Sequence, residues 1–123
     1  MKLRIRGNSI RLRLKRGEVD RLAAGNTLVE ETQFPGSTLS YSLCLSDNDD
    51  MLASFDNGSI AISMPKEIIP EWADTDLVSL YSVITLPDDS QLVVLVEKDF
   101  SCLEPGHHRD CDDDADTYPH PSA

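Results

Sequence analysis

The sequence predicts an α+β domain made of two ββαββ repeats, and three observations carry that prediction. Leu3, Ile5, Ile10, Leu12 and Leu14 alternate with Lys2, Arg4, Arg6, Arg11 and Arg13 on either side of Gly7-Asn8, a dipeptide suited to a two-residue hairpin turn. The same alternation returns 50 positions later around Asn57-Gly58, itself a strong hairpin signal. Between each such hairpin and the next apolar run lies a segment with helical spacing.

The elements follow in order. If the first turn is tight, Ile5 faces Ile10, Leu3 faces Leu12, Arg4 faces Arg11 and Lys2 faces Arg13, so one face of the hairpin is apolar and the other strongly basic. Over residues 16–24, Val19, Leu22 and Ala23 fall at helical spacing, and Gly25 stands where a left-handed residue closes a helix. Residues 27–34 predict a strand, Pro35-Gly36 a turn, and residues 38–45 a strand whose Leu39, Tyr41, Leu43 and Leu45 share a face. The polar run Ser46-Asp47-Asn48-Asp49-Asp50 ends the first unit.

Adding 50 aligns Ile5 with Phe55, Ile10 with Ile60, Leu12 with Ile62, Leu14 with Met64, Val19 with Ile69, Leu22 with Trp72, Ala23 with Ala73 and Leu28 with Val78. Alternation alone has period two and would not also align a turn, a helix and a small alanine, so the pattern indicates duplication. On this alignment no gap is needed through the third strand. The last strand, residues 92–96, matches residue 39 onward only after a shift of a few positions, because Pro87-Asp88-Asp89 makes a longer loop than Pro35-Gly36. In the second helix Pro65 suits a first position, but Pro70 removes a hydrogen bond, so that helix is expected to be short, kinked or partly 3₁₀. Trp72 and Tyr81 are expected in the core or at its rim.

A chain of 123 residues with this pattern suits one domain over residues 1–100, its repeats at about 2–45 and 52–98, followed by a tail at 101–123. The tail is acidic and proline-containing: Asp110, Asp112, Asp113, Asp114 and Asp116 lie among Pro105, Pro119 and Pro121. The net charge of −11 conceals an asymmetry, since residues 1–25 hold eight basic and two acidic residues. That leaves −17 on the remainder. No apolar run has the length of a membrane span and no continuous apolar segment opens the chain, so a cytoplasmic protein with no membrane association is expected. Cys44, Cys102 and Cys111 make an odd count, which favours reduced thiols over a disulfide framework.

The order ββαββ, with Arg6-Gly7-Asn8-Ser9-Ile10-Arg11-Leu12-Arg13-Leu14, resembles the Gly-Asn-Ser segment of MazE-type antitoxins, and Met64-Pro65-Lys66-Glu67-Ile68 resembles the helix entry of the wider AbrB/MazE family. The likeness covers about residues 2–98. It implies a swapped-hairpin β-barrel with a pseudo-two-fold axis and short helices, which two chains normally close and which this chain would close alone, as a monomeric pseudo-dimer. The chain as a whole is also similar to a small group of bacterial proteins without assigned function. Closure has a physical motive, because one fifty-residue unit would have little core and exposed sheet edges.

The resemblance also implies DNA binding through basic residues on the paired hairpins, here Arg4 and Arg13 with Arg6 and Arg11 alongside. The second copy departs from that pattern: Ser54, Asp56, Ala61 and Ser63 replace the four arginines, whereas a palindromic operator needs both halves. Salt bridges to Glu30, Glu31 or the acidic tail are the competing expectation. The sequence therefore favours a binding or regulatory module whose basic hairpin meets an acidic partner, either its own tail or another protein. The alternative is a DNA-binding transcriptional regulator or MazE-like antitoxin, whose acidic extension would wrap a toxin.

Cys102, His107, His108 and Cys111 offer two thiolates and two imidazoles for a zinc-like ion, although their spacing fits no standard module. Asp110, Asp112 and Asp114 begin like a calcium loop, but Ala115 stands where glycine belongs and Pro121 where the closing glutamate belongs. No glycine-rich phosphate loop follows a strand and no serine or cysteine lies in a nucleophile motif, so neither an enzyme nor a cofactor is expected.

Overall fold

The computed structural model describes residues 1–73 and 78–99. Strands β1 (Lys2–Arg6) and β2 (Ser9–Leu14) form the first hairpin, with every cross-strand pair as the alternation requires: Ile5 opposite Ile10, Leu3 opposite Leu12 and Arg4 opposite Arg11. Gly7 alone takes positive φ in that turn, whereas both Asn57 and Gly58 do so in the turn between β5 (Leu52–Asp56) and β6 (Ser59–Pro65). The second turn thus has the two left-handed residues of a type I′ turn.

Helix α1 (Arg16–Ala23) buries Val19 and Leu22. At its start the Lys15 N–H donates to the Glu18 carboxylate (2.9 Å), satisfying a donor that precedes the helical ladder. At its end Gly25 N–H reaches the Leu22 carbonyl (2.9 Å) and Asn26 N–H the Arg21 carbonyl (3.0 Å), with Gly25 at φ 97°. That is a Schellman closure on the expected glycine. The second helix is divided as its prolines demand, into a 3₁₀ turn (Lys66–Ile68) and α2 (Ile69–Ala73). Pro70 lies in the first turn of α2, where its missing N–H costs no intrahelical bond.

The remaining strands are β3 (Leu28–Phe34), β4 (Ser37–Ser46), β7 (Ser79–Thr85) and β8 (Gln91–Lys98). They build two four-stranded sheets, in the orders β1-β2-β8-β7 and β3-β4-β6-β5. Each sheet takes one hairpin from each half of the chain, joined by a central parallel pair, β2 with β8 and β4 with β6. The two halves therefore share element order and ladder pattern. Even the hydrogen bonds at the turns match: Val93 N–H to the Asn8 carbonyl (3.0 Å) and Ser40 N–H to the Gly58 carbonyl (2.9 Å).

The register corrects the sequence alignment at one place. Leu28 pairs with Leu43 and Leu80 with Val96, and Leu28 and Leu80 are both buried. The counterpart of Leu28 is therefore Leu80, 52 positions on, and not Val78. Two extra residues lie between the second helix and β7, and a third is added in the β7–β8 loop, where Asp89 takes positive φ. The correspondence also begins earlier than the alternation indicated, since Met1 and Met51 are both buried.

Leu12, Leu14, Leu43, Ile62, Met64, Val94 and Val96 form the inner faces of the two sheets, with Val19, Leu22 and a fully buried Trp72 from the helices. The Trp72 indole N–H donates to the Val78 carbonyl (3.3 Å), so its polar edge is satisfied. The Met1 ammonium is ion-paired to Glu18 and to Glu30 (2.9 Å), and the Tyr41 hydroxyl donates to the Met1 carbonyl (3.0 Å). Burial, reinforced by the charges of Glu30 and Glu18, holds the Tyr41 phenol above its ordinary pKa.

Among the described residues no ladder joins the two sheets into a closed barrel. The sheets part at the tips of the first and third hairpins. There an apolar cleft of about 330 Å³ has Ile10, Ala53, Ile60 and Leu92 in its wall, with the exposed Ile5 and Phe55 beside them.

Candidate anion-binding face

Bridge partners in a sheet project to the same side, so the registers fix what the outer face of β1-β2-β8-β7 presents. Three rows cross it. One runs Arg6, Ser9, Val93, Val83; the next Arg4, Arg11, Leu95, Tyr81; the third Lys2, Arg13, Glu97, Ser79. The four sequence-predicted arginines, Arg4, Arg6, Arg11 and Arg13, thus meet on one surface with Lys2. Two shallow clefts lie among them, one lined by Lys2, Leu3, Arg4, Arg11 and Arg13 and the other by Arg4, Arg6, Ser9 and Arg11.

Among the described residues the acidic partners on this face are Glu97 and Asp99 and not Glu30 or Glu31, while the expected partner segment 101–123 lies outside the described residues. Glu97 on β8 accepts from the Arg13 Nε (2.7 Å) and lies 3.6 Å from the Arg11 Nε, while Lys2 Nζ lies 3.5 Å from Asp99. Glu30 instead serves the Met1 ammonium. The physical reason is topological: the parallel β2–β8 ladder sets Arg13 directly beside Glu97, whereas Glu30 pairs with Tyr41 and points inward. Glu97 is only 14% exposed and held between two guanidinium groups that are themselves about one-third exposed. Among the described residues, Lys2 and the four arginines therefore share this face with Glu97 and Asp99.

Sequence reasoning missed the other half of this surface. Tyr81 was expected in the core or at its rim, yet it is 66% exposed on the outer face, and Val83 beside it is 38% exposed. Val93 and Leu95, half-buried, connect them to Ser9 and Arg11. The signal was available in the alternation of β7 and β8, but only the long-range pairing of β8 with β2 reveals that this apolar strip adjoins the arginines.

The second sheet presents the contrasting surface. Its rows are Glu31, Ser40, Ser59, Asp56, then Val29, Ser42, Ala61, Ser54, with Cys44, Ser63 and Leu52 in the third. The hydroxyls of Ser40 and Ser59 are hydrogen-bonded to each other (2.6 Å), and Cys44 carries a free thiol.

Cys102, His107, His108 and Cys111 lie outside the described residues, as does the acidic tail. Among the described residues no group of three or more histidine, cysteine or carboxylate side chains is arranged to hold a metal ion, and no helix is long and apolar enough to cross a membrane.

The model of a family of unknown function (DUF7009) matches residues 1–122. The chain belongs to that family. No curated protein and no solved structure matches it.

Proposed function

We propose that this DUF7009 member is a non-catalytic binding or regulatory module whose basic hairpin meets an acidic partner, either its own 101–123 segment or another protein. One observation carries the reading: five cations share one outer sheet face, and none of the five recurs at the matching position of the other half. Cations lined up across adjacent strands repel one another unless an anion joins them, and arginine donates to a carboxylate through two parallel N–H groups.

A DNA-binding transcriptional regulator or MazE-like antitoxin is the rival reading, and the exchange of hairpins between the two halves supports it. In the AbrB/MazE resemblance two chains exchange hairpins to make one swapped-hairpin barrel. We take the two sheets here as a single-chain relative of that arrangement. Against the rival stands the loss of two-fold symmetry in the charges, since Ser54, Asp56, Ala61 and Ser63 cannot contact a second half-site as the arginines would.

Fluorescence anisotropy with a labelled oligo-glutamate peptide and a random DNA duplex, each titrated at several salt concentrations, separates the two. Saturable peptide binding that weakens with salt, with no duplex binding at low salt, is the expected result. Duplex binding with a steep logarithmic salt dependence, and no peptide binding, would establish the rival.

A further inference from the structure

Apart from the arginines, the inner faces of the sheets carry a second feature at the tips of the first and third hairpins. Ile5 shares an inner-face row with Ile10 and the fully buried Val94, and Phe55 shares one with Ile60 and Tyr41. Both side chains therefore lie on the side of their sheets that carries the core, yet Ile5 is 56% and Phe55 71% exposed. The core-facing surface of each sheet continues past the point where the other sheet covers it, and the result is the apolar cleft of about 330 Å³. One wall is Ile5, Ile10 and Leu92, the other Ala53, Phe55 and Ile60, and among the described residues no charged side chain lines it. Hydrogen bonds anchor each wall. The Asn8 Nδ2 donates to the Gln91 carbonyl (2.7 Å), tying the first hairpin turn to the start of β8, and Ser40 N–H donates to the Gly58 carbonyl (2.9 Å), tying the third turn to β4.

We propose that this cleft is a binding site for a small uncharged apolar molecule, about the size of two fused rings or of a chain of about eight to ten carbons. The site goes beyond the anion-binding reading and does not depend on it. Size selects the occupant. An apolar cavity of about 150 Å³ takes one benzene ring, so this cleft has room for about twice that. A large apolar side chain offers roughly 200 Å², so Ile5 and Phe55 together leave about 250 Å² open. That is far below the area of about 800 Å² that each partner of a stable protein interface buries, and it argues against a second copy of the chain. Pockets for small ligands, in contrast, begin at about 300 Å³. Segment 101–123 is a poorer match, because it has six acidic residues and only Leu103 and Tyr118 as large apolar side chains. A carboxylate drawn into an uncharged apolar cleft loses its hydration and gains no partner.

The test titrates the full chain into prodan, a neutral naphthalene dye whose emission shifts to the blue in apolar surroundings. Saturable one-to-one binding with a blue shift is expected, and octan-1-ol should displace the dye. Ile5→Ser and Phe55→Ser should each weaken binding about tenfold, the effect of losing one buried side chain, and Phe55→Leu should largely keep it. Both positions are more than half exposed, so the serine variants should fold, which a thermal melt of each checks. Tyr81→Ser/Val83→Ser removes exposed apolar side chains outside the cleft and should leave the affinity unchanged. Equal weakening by that variant and by Phe55→Ser would overturn the site, since the dye would then only coat apolar surface. So would absence of binding to the wild type, or failure of octan-1-ol to compete. An affinity that rises severalfold in Leu103→Ser/Tyr118→Ser would give the cleft to the chain's own segment instead. A dimer in sedimentation velocity that Phe55→Ser dissociates would give it to a second copy, and either result ends the small-molecule proposal.

Discussion

On β2 the outward positions are Ser9, Arg11 and Arg13, and at the matching positions of β6 they are Ser59, Ala61 and Ser63. On β8 they are Val93, Leu95 and Glu97; on β4, Ser40, Ser42 and Cys44. The inner faces diverge far less: Leu12 matches Ile62, Leu14 matches Met64 and Leu43 matches Val96, all buried. Two copies of one architecture have kept a common interior and acquired different exteriors. What the core requires is fixed by packing, which both halves share, whereas an outer face answers only to what it touches. The asymmetry is the ground on which the proposed binding face is assigned to the first sheet.

The largest effect should come from the shared interior. Leu12→Ala and Ile62→Ala each remove a fully buried side chain at equivalent places, and each should cost about 2–5 kcal/mol. Urea denaturation should give similar losses for the two. A loss in one several times that in the other would show that the halves are not energetically equivalent despite their matching ladders.

Next comes an exchange of exteriors. Arg4→Ser, Arg6→Asp, Arg11→Ala and Arg13→Ser together copy the β5 and β6 residues onto β1 and β2. With four surface ion contacts removed, affinity for an acidic peptide should fall about 100-fold. The melting temperature should fall by the equivalent of about 1 kcal/mol, because Glu97, which has no counterpart in the other half, loses both guanidinium partners. Unchanged binding would show that the arginines only solvate the sheet.

Much of this fold was legible in the residues and some of the surface was not. The hairpin register, the glycine closure after α1 and the division of the second helix at its prolines all follow from local rules that act within a few residues. The two-residue shift before β7 was hidden, because a connection between helix and strand can lengthen without disturbing the periodicity on either side. The partner of Arg13 was hidden for a different reason: Glu97 is 84 residues away, and only the parallel β2–β8 ladder brings the two together. The exposed position of Tyr81 does not depend on that shift, since Glu31, its counterpart in the 50-residue alignment, and Val29, its counterpart in the structure, both face outward.

A smaller contrast lies in the two hairpin turns. Gly7 and Gly58 both take positive φ, so alanine at either is strained by about 1 kcal/mol. A Cβ on Gly7 would meet nothing within 4 Å, but one on Gly58 would lie 3.0 Å from the Thr38 carbonyl oxygen, a backbone atom with little room to move. Gly58→Ala should therefore lower the urea midpoint by more than Gly7→Ala, by the equivalent of about 1 kcal/mol. Equal losses would show that the first turn is as tightly backed as the second.

The smallest change in stability and the most informative one for the face is Glu97→Gln. Glu97 is the carboxylate that Arg11 and Arg13 share, at the place where the second sheet has Cys44. Both arginines are about one-third exposed, so solvent screens the contacts and their loss should cost under about 1 kcal/mol. Glutamine keeps an oxygen to accept from Arg13 but no charge. With the Glu97 charge gone from between Arg11 and Arg13, an acidic peptide should bind about threefold to tenfold more tightly at low salt, with the gain vanishing at high salt. Glu97 would then act as a built-in competitor for its own binding face, restraining the arginines until a stronger anion displaces it. A peptide affinity unchanged by Glu97→Gln would mean that the ligand does not approach Arg11 and Arg13, and would move the site to Arg4 and Arg6 at the sheet edge.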